Sequence, residues 1–76
     1  MITGTQVKMA RAALGWKAAD LADRSNVTIN TIFRLEGGKG VQASTLAAIQ
    51  RALEDAGVRF IEKDGFMGAL IPSGRE

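Results

Sequence analysis

A chain of 76 residues with a net charge of +2 makes one domain with a small core, close to the size below which folding usually needs disulfides, a metal or a partner. It contains no cysteine and no histidine, which excludes disulfide frameworks and zinc fingers and leaves any nucleophile without its usual base. No apolar run approaches the roughly 20 residues that span a bilayer and no signal-peptide pattern opens the chain, so a cytoplasmic protein without membrane attachment is expected.

Four helices are predicted from one device, an apolar residue just before a cap that packs on another five positions later. Ile2 pairs with Val7 around Thr3 and Gln6, a capping box of the form T-x-x-Q. This first helix ends at Leu14, where Gly15 can take the left-handed conformation that closes a helix. Trp16 pairs with Leu21 around Lys17 and Asp20, opening a second helix over about residues 18–24 with Leu21 and Ala22 inward. Asn26 then reverses the chain, because its side chain tolerates a left-handed backbone better than most. Val27 pairs with Ile32 around Thr28, whose hydroxyl is suited to capping a third helix over residues 28–36. Val41 pairs with Leu46 around Gln42 and opens a fourth helix, about residues 43–56, which buries Leu46, Ile49 and Leu53 and stops at Gly57. Met9 and Trp16, at helix edges, read as core.

On the third helix Ile32 and Leu35 form the inward side, while Ile29, Asn30, Phe33 and Arg34 occupy an arc of roughly 140° elsewhere on the wheel. An arc that mixes apolar, amide and guanidinium groups makes a poor core and a good reading edge. Arg34 has the reach to donate two parallel bonds to guanine O6 and N7, or to bind a phosphate, and Asn30 fits adenine or a phosphate. Ile29 and Phe33 suit thymine methyl groups. Both also suit a second small core against the C-terminal strands, Phe33 equally well. The loop Gly37-Gly38-Lys39-Gly40 reads either as a backbone that approaches a phosphate closely, with Lys39 adding charge, or as a flexible connector.

Charge agrees with a nucleic-acid surface on this half of the chain. Residues 1–40 hold Lys8, Arg11, Lys17, Arg24, Arg34 and Lys39 against Asp20, Asp23 and Glu36, while the rest carries a slight excess of acids. The eight carboxylates show no acid/base pairing, and there is no phosphate loop of the nucleotidase kind, so neither an enzyme nor a cofactor or metal site is expected.

After Gly57 the pattern turns to strand. Residues 58–62 (VRFIE), a turn at Lys63-Asp64-Gly65 with the Asp-Gly hairpin signal, and residues 66–71 (FMGALI) precede Pro72. Apolar residues lie on both faces, Val58 and Phe60 against Ile61, and Leu70 against Ile71, so the hairpin is expected to need a neighbour. Domains are thus expected at 1–57 (helical and nucleic-acid-binding, with the two helices joined by the tight turn at about 17–36) and 58–72 (dimerisation through Val58, Phe60, Ile61, Leu70 and Ile71), with a disordered tail at 73–76.

The spacing Ala22-x3-Asn26-Val27-x4-Ile32 resembles the helix-turn-helix of the phage-repressor and Cro type, the XRE family. The likeness covers about residues 3–57 and includes TGTQ at 3–6, ARAALGW at 10–16 and TIFRLEGGK at 31–39. It departs at Asn26, where Gly is usual, at Lys17, where a capping Ser is usual, and at Ala18, where a phosphate-binding Gln is frequent. It implies a mainly α fold, a four-helix repressor-like domain followed by a β-strand or hairpin, that binds double-stranded DNA as a homodimer and probes a two-fold operator with residues 28–36. Within it, Ile29, Asn30, Phe33 and Arg34 would contact bases, and Lys17, Thr28, Thr31, Gly38 and Lys39 phosphates. Arg11 and Glu36 match a structural ion pair of the family that ties the first helix to the third. The expected activity is transcriptional regulation, as a repressor. The alternative is the antitoxin half of a toxin–antitoxin pair, a protein-interaction module with autoregulatory DNA binding.

Overall fold

The computed structural model describes residues 1–74. Four helices, α1 (Gly4–Leu14), α2 (Ala18–Ser25), α3 (Ile29–Glu36) and α4 (Ala43–Asp55), precede strands β1 (Arg59–Lys63) and β2 (Phe66–Leu70). The protein is therefore mainly α, a four-helix domain carrying an antiparallel hairpin. The expected tail falls partly on residues 75 and 76, outside the described residues. Among the described residues no helix is long and apolar enough to cross a membrane.

All four helices end the same way. The bonds Trp16 N to Arg11 O, Val27 N to Ala22 O, Lys39 N to Arg34 O and Val58 N to Leu53 O each span five residues and satisfy a carbonyl that the helix leaves unpaired. Immediately before each donor stands a residue of positive φ, Gly15, Asn26, Gly38 or Gly57. Trp16, Val27 and Val58 pack on the core from these positions. Trp16 and Val27 also precede the caps of the next helices, so one apolar side chain closes a helix and opens its successor. Lys39 alone is charged and exposed there.

The starts follow the sequence closely. Thr3 Oγ1 accepts from Gln6 N at 3.2 Å while Gln6 Oε1 accepts from Thr3 N at 3.0 Å, a complete capping box. Lys17 has no capping side chain, and only the reciprocal bond from its N–H to Asp20 Oδ2, 2.8 Å, is made. Gln42 occupies the cap of α4 but makes no side-chain bond there. α2 runs one residue past the expected end because Ser25 is buried, its hydroxyl donating back to Leu21 O.

The core is small and complete. Val7, Leu21, Ile32, Ile49 and Leu53 are almost wholly buried, each stabilising the fold by about 1.5–3 kcal/mol relative to exposure. Met9, expected in the core, is 39% exposed, since its position on α1 faces away from the other helices. Gly4 was not singled out by the sequence, yet α1 approaches α3 so closely there that a Cβ would lie 1.9 Å from Leu35 O.

The hairpin closes through Asp64 and Gly65, both at positive φ, as a two-residue turn matched to strand twist requires. Arg59 pairs with Leu70, Phe60 with Ala69, Ile61 with Gly68, Glu62 with Met67 and Lys63 with Phe66. Directly opposed residues share a face, so Phe60 and Ala69 lie on one side and Ile61, Phe66 and Leu70 on the other. The expected neighbour of the first side turns out to be this chain's own helical domain. Val58 is 2% exposed within the core, and Phe60, Ala69 and Ile71 pack against it. This corrects the expectation that Val58, Phe60 and Ile71 face a second subunit. Of the five residues assigned to that role, Ile61 and Leu70 stand in solvent, where Phe66 joins them.

Candidate nucleic-acid interface

The candidate face is built by anchoring one side of α3 and leaving the other free. Ile32 and Leu35 are buried, and Thr28 Oγ1 accepts from Thr31 N at 3.3 Å to cap the first turn. Asn26, at φ 59° and ψ 41°, turns the chain sharply enough for α2 and α3 to pack through Ala22, Val27 and Ile32. Ile29, Asn30, Phe33 and Arg34 then lie together on the exposed side of α3. Phe33 is 54% exposed, so no second core forms beneath it. Two apolar side chains thus stand in water beside an amide and a guanidinium.

Around this arc stand the expected phosphate contacts. Lys17 is exposed at the N-terminus of α2, and Thr28 and Thr31 share a hydroxyl–hydroxyl bond of 2.9 Å at the start of α3. The glycine loop is shaped rather than slack. Gly38 N and Lys39 N already bond Leu35 O and Arg34 O, so Gly38 offers close approach and no free N–H, while the Lys39 ammonium projects from the loop. Beside the loop a groove of about 550 Å³ lies between α3 and the start of α4. Thr31 and Arg34 line one side and Gln42 and Thr45 the other. Gln42 and Thr45 were missed in the sequence because their neighbourhood depends on where α4 begins in space. Arg34 stands at the border between the exposed arc and this groove.

Behind the face, Arg11 and Glu36 form a two-pronged ion pair. Arg11 Nε donates to Glu36 Oε2 and Nη2 to Oε1, both at 2.8 Å, and Nη1 donates to Trp16 O at 3.1 Å. The bond to Glu36 raises the Arg11 pKa above its ordinary value, against the lowering effect of burial and with the carboxylate's charge adding to the rise. Arg24 lies over the Trp16 ring, 4.5 Å from its centroid, and helps hold the start of α2. Among the described residues no cluster of side chains fit for a metal ion occurs.

A search of curated proteins returns no match. A family model described as helix-turn-helix matches residues 7–54, more than half of the chain and all of α2 and α3. The match spans the anchored helix, the turn at Asn26 and both members of the ion pair behind them, and the chain belongs to the helix-turn-helix family of the XRE type, a family of DNA-binding transcription regulators.

Proposed function

We propose that this protein is a sequence-specific repressor that occupies a promoter by placing α3 in the major groove of a two-fold symmetric operator. The observation that carries this reading is the exposed arc of Ile29, Asn30, Phe33 and Arg34 on a helix whose other side is fixed in the core. Bases are read by that arc, and Lys17, Thr28, Thr31, Lys39 and the close approach at Gly38 hold the flanking phosphates.

The hairpin supplies the dimer contact. Its outer face sets Ile61, Phe66 and Leu70 in solvent between Arg59 and Lys63. Neither outer strand edge makes a further backbone bond among the described residues. An apolar face with free edges is matched by its own copy across a two-fold axis, which buries the same patch on both subunits. The dimer then presents two recognition helices about 34 Å apart to successive major grooves on one side of the duplex.

Selection from random-sequence DNA at stated salt tests the reading. A pseudo-palindromic consensus bound by two chains is expected. Recovery of no consensus, with all sequences bound alike, rejects it.

A further inference from the structure

We propose that Gln6 is the positioning residue that fixes the hairpin on the helical domain and thereby sets the half-site spacing the dimer accepts. This rests on the dimer reading above. Gln6 is buried, 3% exposed, in α1. Its Oε1 completes the capping box with Thr3, which fixes the orientation of the amide, and its Nε2 then donates to Ile61 O and to Gly68 O, each at 3.1 Å. Ile61 and Gly68 are paired with each other and are the central residues of β1 and β2. One side-chain amide therefore grips both strands at the middle of the ladder.

A capping box accepts glutamate as readily as glutamine, because it needs only an acceptor oxygen. The bonds to the hairpin require the amide donors. Glutamate here would set a carboxylate against two carbonyls, so the hairpin contact is what calls for glutamine.

The other contacts between hairpin and helices are nearly all apolar, through Phe60, Ala69 and Ile71. Among the described residues the one other polar link is Thr3 Oγ1 to Met67 Sδ at 3.3 Å. The hydrophobic attraction is itself non-directional, whereas hydrogen bonds constrain both direction and distance. From α1 the constraint passes to α3 through the close approach at Gly4 and the Arg11–Glu36 pair. Gln6 thus joins the face that carries Ile61, Phe66 and Leu70 to the helix that reads DNA.

The test uses the full chain and Gln6→Met, which keeps a side chain of similar length without the polar groups. Operators carry the selected half-sites at the preferred spacing and with two base pairs added, which moves the second half-site about 7 Å along the axis and turns it by about 70°. The unaltered protein is expected to lose about tenfold or more in affinity on the lengthened site, and Gln6→Met less than about threefold, because a hairpin free to roll follows the displaced half-site. Gln6→Glu, which keeps the acceptor for Thr3, should behave like Gln6→Met. The chain has no cysteine, so a spin label at Ala47→Cys reads one distance between subunits, and its distribution should broaden in both Gln6 variants. Dimeric variants that keep the original spacing discrimination and a narrow distribution overturn the role of Gln6 alone. A monomeric unaltered protein in light scattering overturns the dimer reading and this inference with it.

Discussion

Arg11 holds Glu36 through two hydrogen bonds of 2.8 Å, and the carboxylate is the more buried partner, with 6% of its side chain exposed against 21% for the arginine. The pair ties α1 to the last residue of α3, and it neutralises a negative charge close to where DNA would lie. Arg11→Ala strands that carboxylate and also removes the bond to Trp16 O, so it should destabilise the fold more than Glu36→Gln, by an amount approaching the roughly 3–5 kcal/mol of a broken buried pair. Urea melts decide this, and midpoints of both variants that match the unaltered protein's would show that the pair contributes little.

The same pair has a defined pH behaviour. Because the Arg11 pKa is raised on folding, its stabilisation is fully present below the ordinary arginine value and is lost only as pH rises through the higher folded one. The stability difference between the unaltered protein and Arg11→Ala should therefore stay constant from neutral pH to about pH 10. A difference that shrinks across that range would show that the guanidinium is not held as described.

Arg34→Ala should relax specificity at one base pair per half-site and lose about 1–3 kcal/mol per bidentate contact. Binding to a panel of single-base operator variants measures it. A uniform loss on every sequence would assign Arg34 to the phosphates that the neighbouring groove could admit.

Lys17→Ala and Lys39→Ala should each flatten the slope of log K against log salt by roughly one per monomer without changing the preferred site. Lys39 is the stronger case, since it is the exposed charge at a helix-closing position where the other helices place core residues. An unchanged slope in both variants removes these contacts from the interface.

Gly4→Ala should destabilise the protein by about 1–3 kcal/mol or more, because its methyl group would meet the Leu35 carbonyl and force α1 away from α3. Gly68→Ala serves as the control, since its methyl group would rest 3.5 Å from Ile61 Cγ1 in ordinary contact. Thermal melts that rank the two the other way would contradict the packing described.

Phe66→Ser and Leu70→Ser should give folded monomers with most operator affinity lost, as each removes apolar surface from the outer hairpin face without touching the core. Truncation after Gly57 is a poorer test, because it also strips Val58, Phe60, Ala69 and Ile71 from the chain's own core. Dimers in light scattering for both point variants would move the contact elsewhere.

Most of the fold is legible in the sequence because its signals are short-ranged. Caps at Thr3 and Thr28, the turn at Asn26, the helix closures and the Asp64-Gly65 hairpin each depend on residues within about five positions of one another, where backbone sterics and local hydrogen bonding dominate. The exposed arc is legible for a related reason, since the period of a helix places Ile29, Asn30, Phe33 and Arg34 together whatever surrounds them. What lay beyond reach were relations between distant segments. Alternation along the strands separates two apolar faces of the hairpin, but it does not say that the helical domain covers the Phe60 face and leaves the Ile61 face bare. Nothing local marks Gly4 as the closest approach to Leu35, which lies more than thirty residues away in sequence. Gln6 shows the division within one side chain: its oxygen serves a cap three residues back, readable from spacing, and its nitrogen serves carbonyls 55 and 62 residues on, which depend on where packing lays the hairpin.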